Sequence, residues 1–345
     1  MPLPADLLSA FDPDGPSAYD SLFGLPFAAA DCAVQIIAVP WEATTSYGRG
    51  TRQGPAAVLA ASGQVDLCDL DFGEAWRQGI GLLPVDPDFE RWGDEAEGDA
   101  QAVLESGGQD DEAAGRVNAL SDAVNERVYA HAQRVLAAGA IPAVLGGDHS
   151  TPYGLIRAIT ETHPGVGFLH IDAHADLRCA YEGFTHSHAS IFYNVHQLPG
   201  AGRHVGLGWR DVGRGEREFI DAHPDRVTAY FDFEVQRRLA EGTPLLALVD
   251  EIIRHLPEKV HVSFDIDGLD PSLCPHTGTP VPGGLSFFQV QLLLRRLAAQ
   301  RHIVSFDLNE VAPGPEGDEW DANVGARILY KLAGAALASQ PPTSR

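Results

Sequence analysis

The sequence predicts an α/β fold, with a mostly parallel sheet covered by helices on both faces. Three observations lead there. Short apolar, β-branched runs recur along the chain, stretches of helical periodicity separate them, and clusters of Asp, His and Gly directly follow several of the runs. The runs are Val34–Val39, Ile141–Leu145, Val166–Ile171, Val205–Leu207, Val260–Phe264 and Ile303–Phe306. Nearly continuous apolar strands of this kind belong to parallel sheets buried on both sides. Helical periodicity spans Ala113–Ala138, where Val117, Leu120, Val124, Val128 and Ala132 recur three or four apart. Leu245–Leu256, Phe287–Leu297 and Ala322–Ala338 follow the same rule. Strands alternating with helices imply a layered α/β arrangement, in which ligands sit at the carboxyl ends of the strands.

The chain of 345 residues is 44% apolar, enough for a large core, and reads as one catalytic domain over residues 1–345. Residues 86–115 break the pattern. This segment is rich in Asp, Glu and Gly and reads as an exposed, acidic loop insertion. The tail after Gln340 is expected to fray.

With 24 basic against 48 acidic residues the net charge is −24, and Lys259 and Lys331 are the only lysines. Such a surface repels phosphate backbones and excludes generic nucleic-acid binding, while it attracts cations. The four cysteines, Cys32, Cys68, Cys179 and Cys274, are far apart and form neither zinc-finger spacing nor a disulfide framework. No apolar run reaches the length of a membrane span, and Met1–Gly15 lacks the pattern of a signal peptide. A cytoplasmic protein with reduced thiols is expected.

Three clusters carry the chemistry. Gly146-Gly147-Asp148-His149-Ser150 follows the second run. Asp172-Ala173-His174-Ala175-Asp176 follows the third. Ser263-Phe264-Asp265-Ile266-Asp267-Gly268-Leu269-Asp270 closes the fifth. An i, i+2, i+4 spacing puts Asp172, His174 and Asp176 on one face of extended backbone. Carboxylates so grouped repel one another, and burying one unpaired costs several kcal/mol or forces it to take a proton. Two divalent cations resolve the conflict, because Asp172, Asp176, Asp265 and Asp267 supply four charges that two M²⁺ ions balance, with His149 and His174 as neutral ligands. Carboxylate-rich sites with some imidazole suit Mn²⁺, and Ni²⁺ or Co²⁺ stay open. Taken singly, an Asp-x-Asp is a common turn and a Gly-Gly-Asp-His a common helix start. Three such clusters, each placed after a strand, make separate structural explanations hard to sustain.

At these residues the sequence resembles the ureohydrolases, the arginases and agmatinases. Gly146–Ser150, Asp172–Asp176 and Ser263–Pro271 match that family's motifs in order and spacing. The likeness extends through Gly48–Pro55, Gly278–Leu285 and Asn309–Val311, so it spans roughly residues 35 to 335. The resemblance implies a three-layer αβα fold and a homotrimer or homohexamer. It also implies two metal sites: His149, Asp172, Asp176 and Asp265 at one, and Asp172, His174, Asp265 and Asp267 at the other. The implied reaction hydrolyses a guanidino group to urea and an amine. Two ions ~3.5 Å apart would acidify water and so supply a nucleophile at neutral pH. Asp176 would aim it. His188 is the expected proton shuttle, because imidazole titrates near neutrality, although His186 stands two residues away. Glu310 would hold the guanidinium through charge-assisted hydrogen bonds.

Specificity is expected from Arg178 and Glu182. Glu182 would receive a terminal amine and suit agmatine; Arg178 would receive a carboxylate and suit guanidinobutyrate; or the two would pair with each other. The Asn and Ser/Thr-rich stretch typical of arginases are absent after Asp176. Agmatine is the preferred substrate, with guanidinobutyrate, arginine, guanidine and formiminoglutamate as alternatives. A deacetylase-like hydrolase with one zinc and a non-catalytic metal-binding protein are the more distant readings.

Overall fold

A computed structural model describes residues 3–341 other than 18, 46, 316 and 317. The part of the tail from residue 342 onward lies outside them. Eight strands form one sheet: β1 (Val34–Val39), β2 (Ile80–Leu82), β3 (Ile141–Gly146), β4 (Val166–Ile171), β5 (Ala201–Leu207), β6 (Val227–Tyr230), β7 (Lys259–Asp265) and β8 (His302–Asn309). Their order is β2-β1-β3-β8-β7-β4-β5-β6, and every pairing is parallel. All six runs named from the sequence are strands. The two it missed, β2 and β6, lie at the sheet's edges, where short strands carry little apolar signal.

Alternate residues feed two cores. Ile36, Leu145, Leu169 and Ile171 belong to one cluster, while Ile37, Val144, Val166 and Phe168 belong to the other. This is the period of two expected for a strand buried on both faces.

Residues 86–115 are a correction. Instead of a loop, Pro87–Glu105 is a helix, and a second helix, Asp111–Ala137, begins inside the segment. Phe89, Gly93, Ala96, Ala100 and Val103 form a narrow buried stripe. Small residues at that spacing bury a helix face without raising apolar content, and the acidic residues lie around them. Asp86 caps the first helix by accepting from the Asp88 N–H at 3.1 Å. It also binds Arg127 and His131 of the second helix at 2.6 and 2.9 Å. Among the described residues, no helix is long and apolar enough to cross a membrane.

Candidate metal centre and guanidino site

The four central strands, β3, β8, β7 and β4, deliver the site at their carboxyl ends. Glycines let the chains meet there. A Cβ on Gly147 would lie 1.8 Å from the Trp41 carbonyl oxygen, and one on Gly268 would lie 2.7 Å from the Asp172 nitrogen. Asp176 and Glu310 adopt left-handed backbone, with φ of 53° and 62°. Non-glycine residues hold such conformations at a cost of about 1–3 kcal/mol each, typically where function requires it.

Asp172, Asp176, Asp265, Asp267 and His149 are buried, and His174 is half-buried. His149 Nδ1 lies 3.0 Å from Asp172 Oδ2 and 3.2 Å from both Asp176 Oδ2 and Asp265 Oδ2. His174 Nδ1 lies 3.1 Å from Asp267 Oδ2 and 3.4 Å from Asp172 Oδ1. Asp172 therefore turns one oxygen toward each histidine. Backbone N–H groups fix the carboxylates: His174 donates to Asp172 at 2.6 Å, Asp267 to Asp265 at 2.9 Å, and Ala173 to Asp267 at 3.0 Å.

Proton bookkeeping tests whether these residues fit a cation. His149 Nε2 lies 2.9 Å from Ser263 Oγ, which donates its own hydrogen to Asp307 at 2.9 Å. The serine must therefore accept from Nε2–H, leaving a neutral His149 with its Nδ1 lone pair facing three carboxylate oxygens. One proton on Nδ1 can serve only one of them well, whereas a metal ion serves all. Ligand atoms about 3 Å apart are also the edges of an octahedron with bonds of ~2.1 Å. The residues fit divalent ions.

Without cations the cluster would neutralise itself with protons. Burial pushes the Asp265 carboxyl well above its usual range, reinforced by Asp267 and Asp172. Burial and the Asp172 charge raise Asp176 to about 7. For His149 and His174, burial opposes protonation, but the surrounding carboxylates outweigh it and raise both. Cations would displace such protons on binding.

Two groupings have ligand atoms close enough to share an ion: His149, His170, Asp172 and Asp176, and Asp172, His174 and Asp267. His170 was not foreseen. Its Nε2 lies 2.7 Å from Asp172 Oδ2, and its Nδ1 lies 3.3 Å from His204 Nε2. His204 Nδ1 in turn lies 3.2 Å from His196 Nε2. With both ring nitrogens engaged, His170 reads better as the group that orients Asp172, while Asp265 completes the set around His149. On β7 and β8, His261, Ser263, Ser305 and Asp307 form a second buried network; His261 meets Asp307 and Ser305 at 2.7 Å each. A polar residue at every second position is the available sequence signal, but it equally describes a strand with one wet face.

A cavity of about 280 Å³ opens above the cluster, near the lower end of the ligand-pocket range of ~300 Å³. His174, Asp176, Arg178 and His188 line it, together with Tyr47, Tyr181, Asp211, Glu216 and Thr279, which sequence reasoning did not single out. His188 is thereby separated from His186, which instead approaches Asp122 at 3.4 Å and packs on Tyr153. Near-neutral titration of His188 is a second correction: burial, then repulsion from His174 and His149, pushes it down to about 4.

Glu310 is buried beside the aspartate–histidine cluster. Its Oε1 accepts the His149 N–H at 2.8 Å, and its Oε2 is buried without a partner. Burial, then Asp265 and Asp148, raise its carboxyl well above the usual range. Arg178 does not pair with Glu182. Its Nε is 3.7 Å from Glu216, and its guanidinium lies over the Tyr181 ring at 4.8 Å. Glu182 is not among the cavity-lining residues; its backbone lies beside Gly108.

Compared with protein families, the chain matches the arginase family over residues 32–334. It belongs to the arginase family. It is therefore a ureohydrolase, a hydrolase that acts on guanidino groups. The arginase-family relatives include an N(1)-aminopropylagmatine ureohydrolase of Thermus thermophilus, 31% identical over 304 residues, covering 88% of this chain and 90% of the relative. Guanidinobutyrase of Pseudomonas aeruginosa is 30% identical, covering 86% and 84%. Among solved structures, agmatine ureohydrolase of Thermoplasma volcanium shares the fold with a TM-score of 0.71 at 23% identity, covering 97% of this chain and 98% of that one.

Proposed function

We propose that this ureohydrolase holds two Mn²⁺ ions in the aspartate–histidine cage and hydrolyses a guanidino compound with a cationic far end, agmatine or an N1-extended agmatine, to urea and an amine. The observation that carries the two-metal reading is the convergence of three carboxylates on the His149 Nδ1 lone pair, with Asp172 reaching on to His174. When bound, the ions supply Lewis acidity and a water acidified enough to attack near neutral pH.

This chain's own groups do the rest. His149, Asp172, Asp176 and Asp265 would hold one ion, and Asp172, His174, Asp265 and Asp267 the other. Asp176 accepts a hydrogen bond from the attacking water and aims it at the guanidino carbon. Glu310 Oε2, buried and unpartnered, accepts from the guanidinium N–H groups, where charge-assisted bonds are about twice as strong as neutral ones. His188, which burial and its neighbours hold neutral at rest, takes a proton from the attacking water only transiently and passes it to the departing amine nitrogen.

Charge along the cavity supports a cationic tail. Exposed Asp211 lines it against one base, Arg178, which is already drawn toward Tyr181 and toward Glu216, a buried carboxylate whose oxygens accept the Leu177 and Gly213 N–H groups at 3.0 and 2.7 Å. Arg178 is the one feature favouring a carboxylate tail, as in guanidinobutyrate, because its side chain remains 44% exposed. Glu182 plays no part in this reading. The chain works in the cytoplasm as a homotrimer or homohexamer, a size that light scattering can check.

Urea release tests the proposal, measured with agmatine, N(1)-aminopropylagmatine, guanidinobutyrate, arginine, formiminoglutamate and guanidine under Mn²⁺ and Ni²⁺. An amine-tailed compound should give the highest kcat/KM. A carboxylate-tailed compound ranking first would overturn the specificity reading and leave the reaction class standing.

A further inference from the structure

Asp148 stands beside the candidate ligand His149, yet it faces away from the cation cage. Its Oδ2 accepts the Ala43 and Thr44 N–H groups, each at 3.2 Å, and the Thr44 hydroxyl at 3.0 Å. Its Oδ1 accepts the Ser150 N–H at 3.1 Å and the Ser150 hydroxyl. Burial raises this carboxyl and the donors oppose it. Three of the donors are backbone N–H groups, which can only donate, so both oxygens act as acceptors.

Thr44 is fully buried. Its Oγ1 accepts the His188 backbone N–H at 3.0 Å and lies 3.2 Å from His188 Nδ1. The hydroxyl has one hydrogen, and Asp148 takes it. What remains toward His188 is an oxygen lone pair, so Nδ1 must carry the ring proton. Ser187 Oγ also approaches Nδ1, at 3.4 Å, while accepting the Ala189 N–H at 3.2 Å. Were Nδ1 to accept from Ser187 instead, the lone pairs of Nδ1 and Thr44 would face each other at 3.2 Å.

We propose that Thr44, anchored by Asp148, is a positioning residue that locks His188 in the Nδ1–H tautomer and so makes Nε2 the nitrogen that exchanges protons in the cavity. This rests on the reading of His188 as the proton shuttle. A shuttle must take and release its proton at one nitrogen. If the ring proton sat on Nε2, the nitrogen left for the cavity could donate but could not first accept. The Asp148–Thr44 pair removes that state without touching the substrate.

The test is ¹⁵N NMR of the histidine rings in the full chain, metal-free and loaded with diamagnetic Zn²⁺, with the His188 signals assigned by their loss in His188→Asn. Wild type should show His188 as the Nδ1–H form. Thr44→Val, of similar shape but without the hydroxyl, should show mixed tautomers and a kcat for urea release lowered about 10- to 100-fold, as is typical when a supporting partner is lost; KM should change little. Thr44→Ser should restore the single tautomer and most of the rate. If Thr44→Val fails to fold, wild type and Thr44→Ser still decide. An Nε2–H form in wild type overturns the proposal, as does an unchanged tautomer in Thr44→Val. Full kcat in His188→Asn would instead remove the shuttle reading, with the tautomer result standing apart from it.

Discussion

Replacing Glu310 by Gln separates what the site does for the fold from what it does for the substrate. Glu310 Oε1 accepts the His149 N–H at 2.8 Å, a bond that the amide oxygen can keep. Oε2 has no partner, and burial beside Asp265 and Asp148 raises the carboxyl well above its usual range. A raised carboxyl pKa means that the folded protein resists ionisation that the unfolded chain undergoes freely. The charge therefore destabilises the metal-free protein at neutral pH, and the penalty disappears as pH falls below the ordinary carboxylate range. The neutral amide keeps a polar group at this position but removes its buried charge, a relief of about 1–3 kcal/mol. Glu310→Gln should thus unfold later in urea at pH 7, with the gain vanishing near pH 4. Catalysis should move the other way. The amide presents N–H groups to a guanidinium that needs acceptors, so one charge-assisted bond is lost and a donor clash replaces it. A loss of about 3–4 kcal/mol in transition-state binding corresponds to roughly 10²–10³ in kcat/KM. Denaturant titration and steady-state urea release measure the two effects. A variant that is both less stable and equally active would refute the placing of Glu310 as the guanidinium acceptor.

Other perturbations probe the supports of the site. For Asp86, burial works to raise the carboxyl, but His131 and Arg127 outweigh it and hold it at about 2. The stabilisation it gives is complete above pH ~4 and is lost as pH falls from there through about 2. Asp86→Ala should cost roughly 1–3 kcal/mol at pH 7, from the lost helix cap and ion pairs, and little at pH 2; an equal cost at both would contradict this. Gly147→Ala places a methyl 1.8 Å from the Trp41 carbonyl oxygen. It should destabilise by about 3 kcal/mol or more, and an unshifted melting curve would count against the tight approach. Arg178→Ala should leave kcat/KM for agmatine within about threefold and lower that for guanidinobutyrate more than tenfold. The reverse order would give Arg178 a different task.

Much of this architecture was legible in the sequence because parallel strands buried on both faces stand out as uninterrupted apolar runs. The cluster positions were legible for a related reason: carboxylates and imidazoles at spacing i, i+2, i+4 have few uses at the end of a buried strand. What escaped has specific causes. The helix Pro87–Glu105 buries mainly Gly and Ala, so its acidic surface dominated the composition. Glu182 and Arg178 are near neighbours in sequence, but the turn through Glu182, with φ of 51°, places them in different surroundings. Asp211, Tyr47 and Thr44 come from distant loops and Glu216 from the first turn of the helix Arg214–Ala222, and no local pattern links them to the cage. His170 and the Ser263–Asp307 network alternate with apolar residues as a solvent-facing strand would, and only the strand order shows them to be covered.

The central claim is that the buried cage of Asp172, Asp176, Asp265, Asp267, His149 and His174 holds a pair of divalent cations. Elemental analysis of the full chain, equilibrated with Mn²⁺ and then desalted, tests it most directly. The account predicts two manganese ions per chain and, for Asp265→Asn, a count well below two. A single ion in the wild-type protein, or none at all, would contradict it.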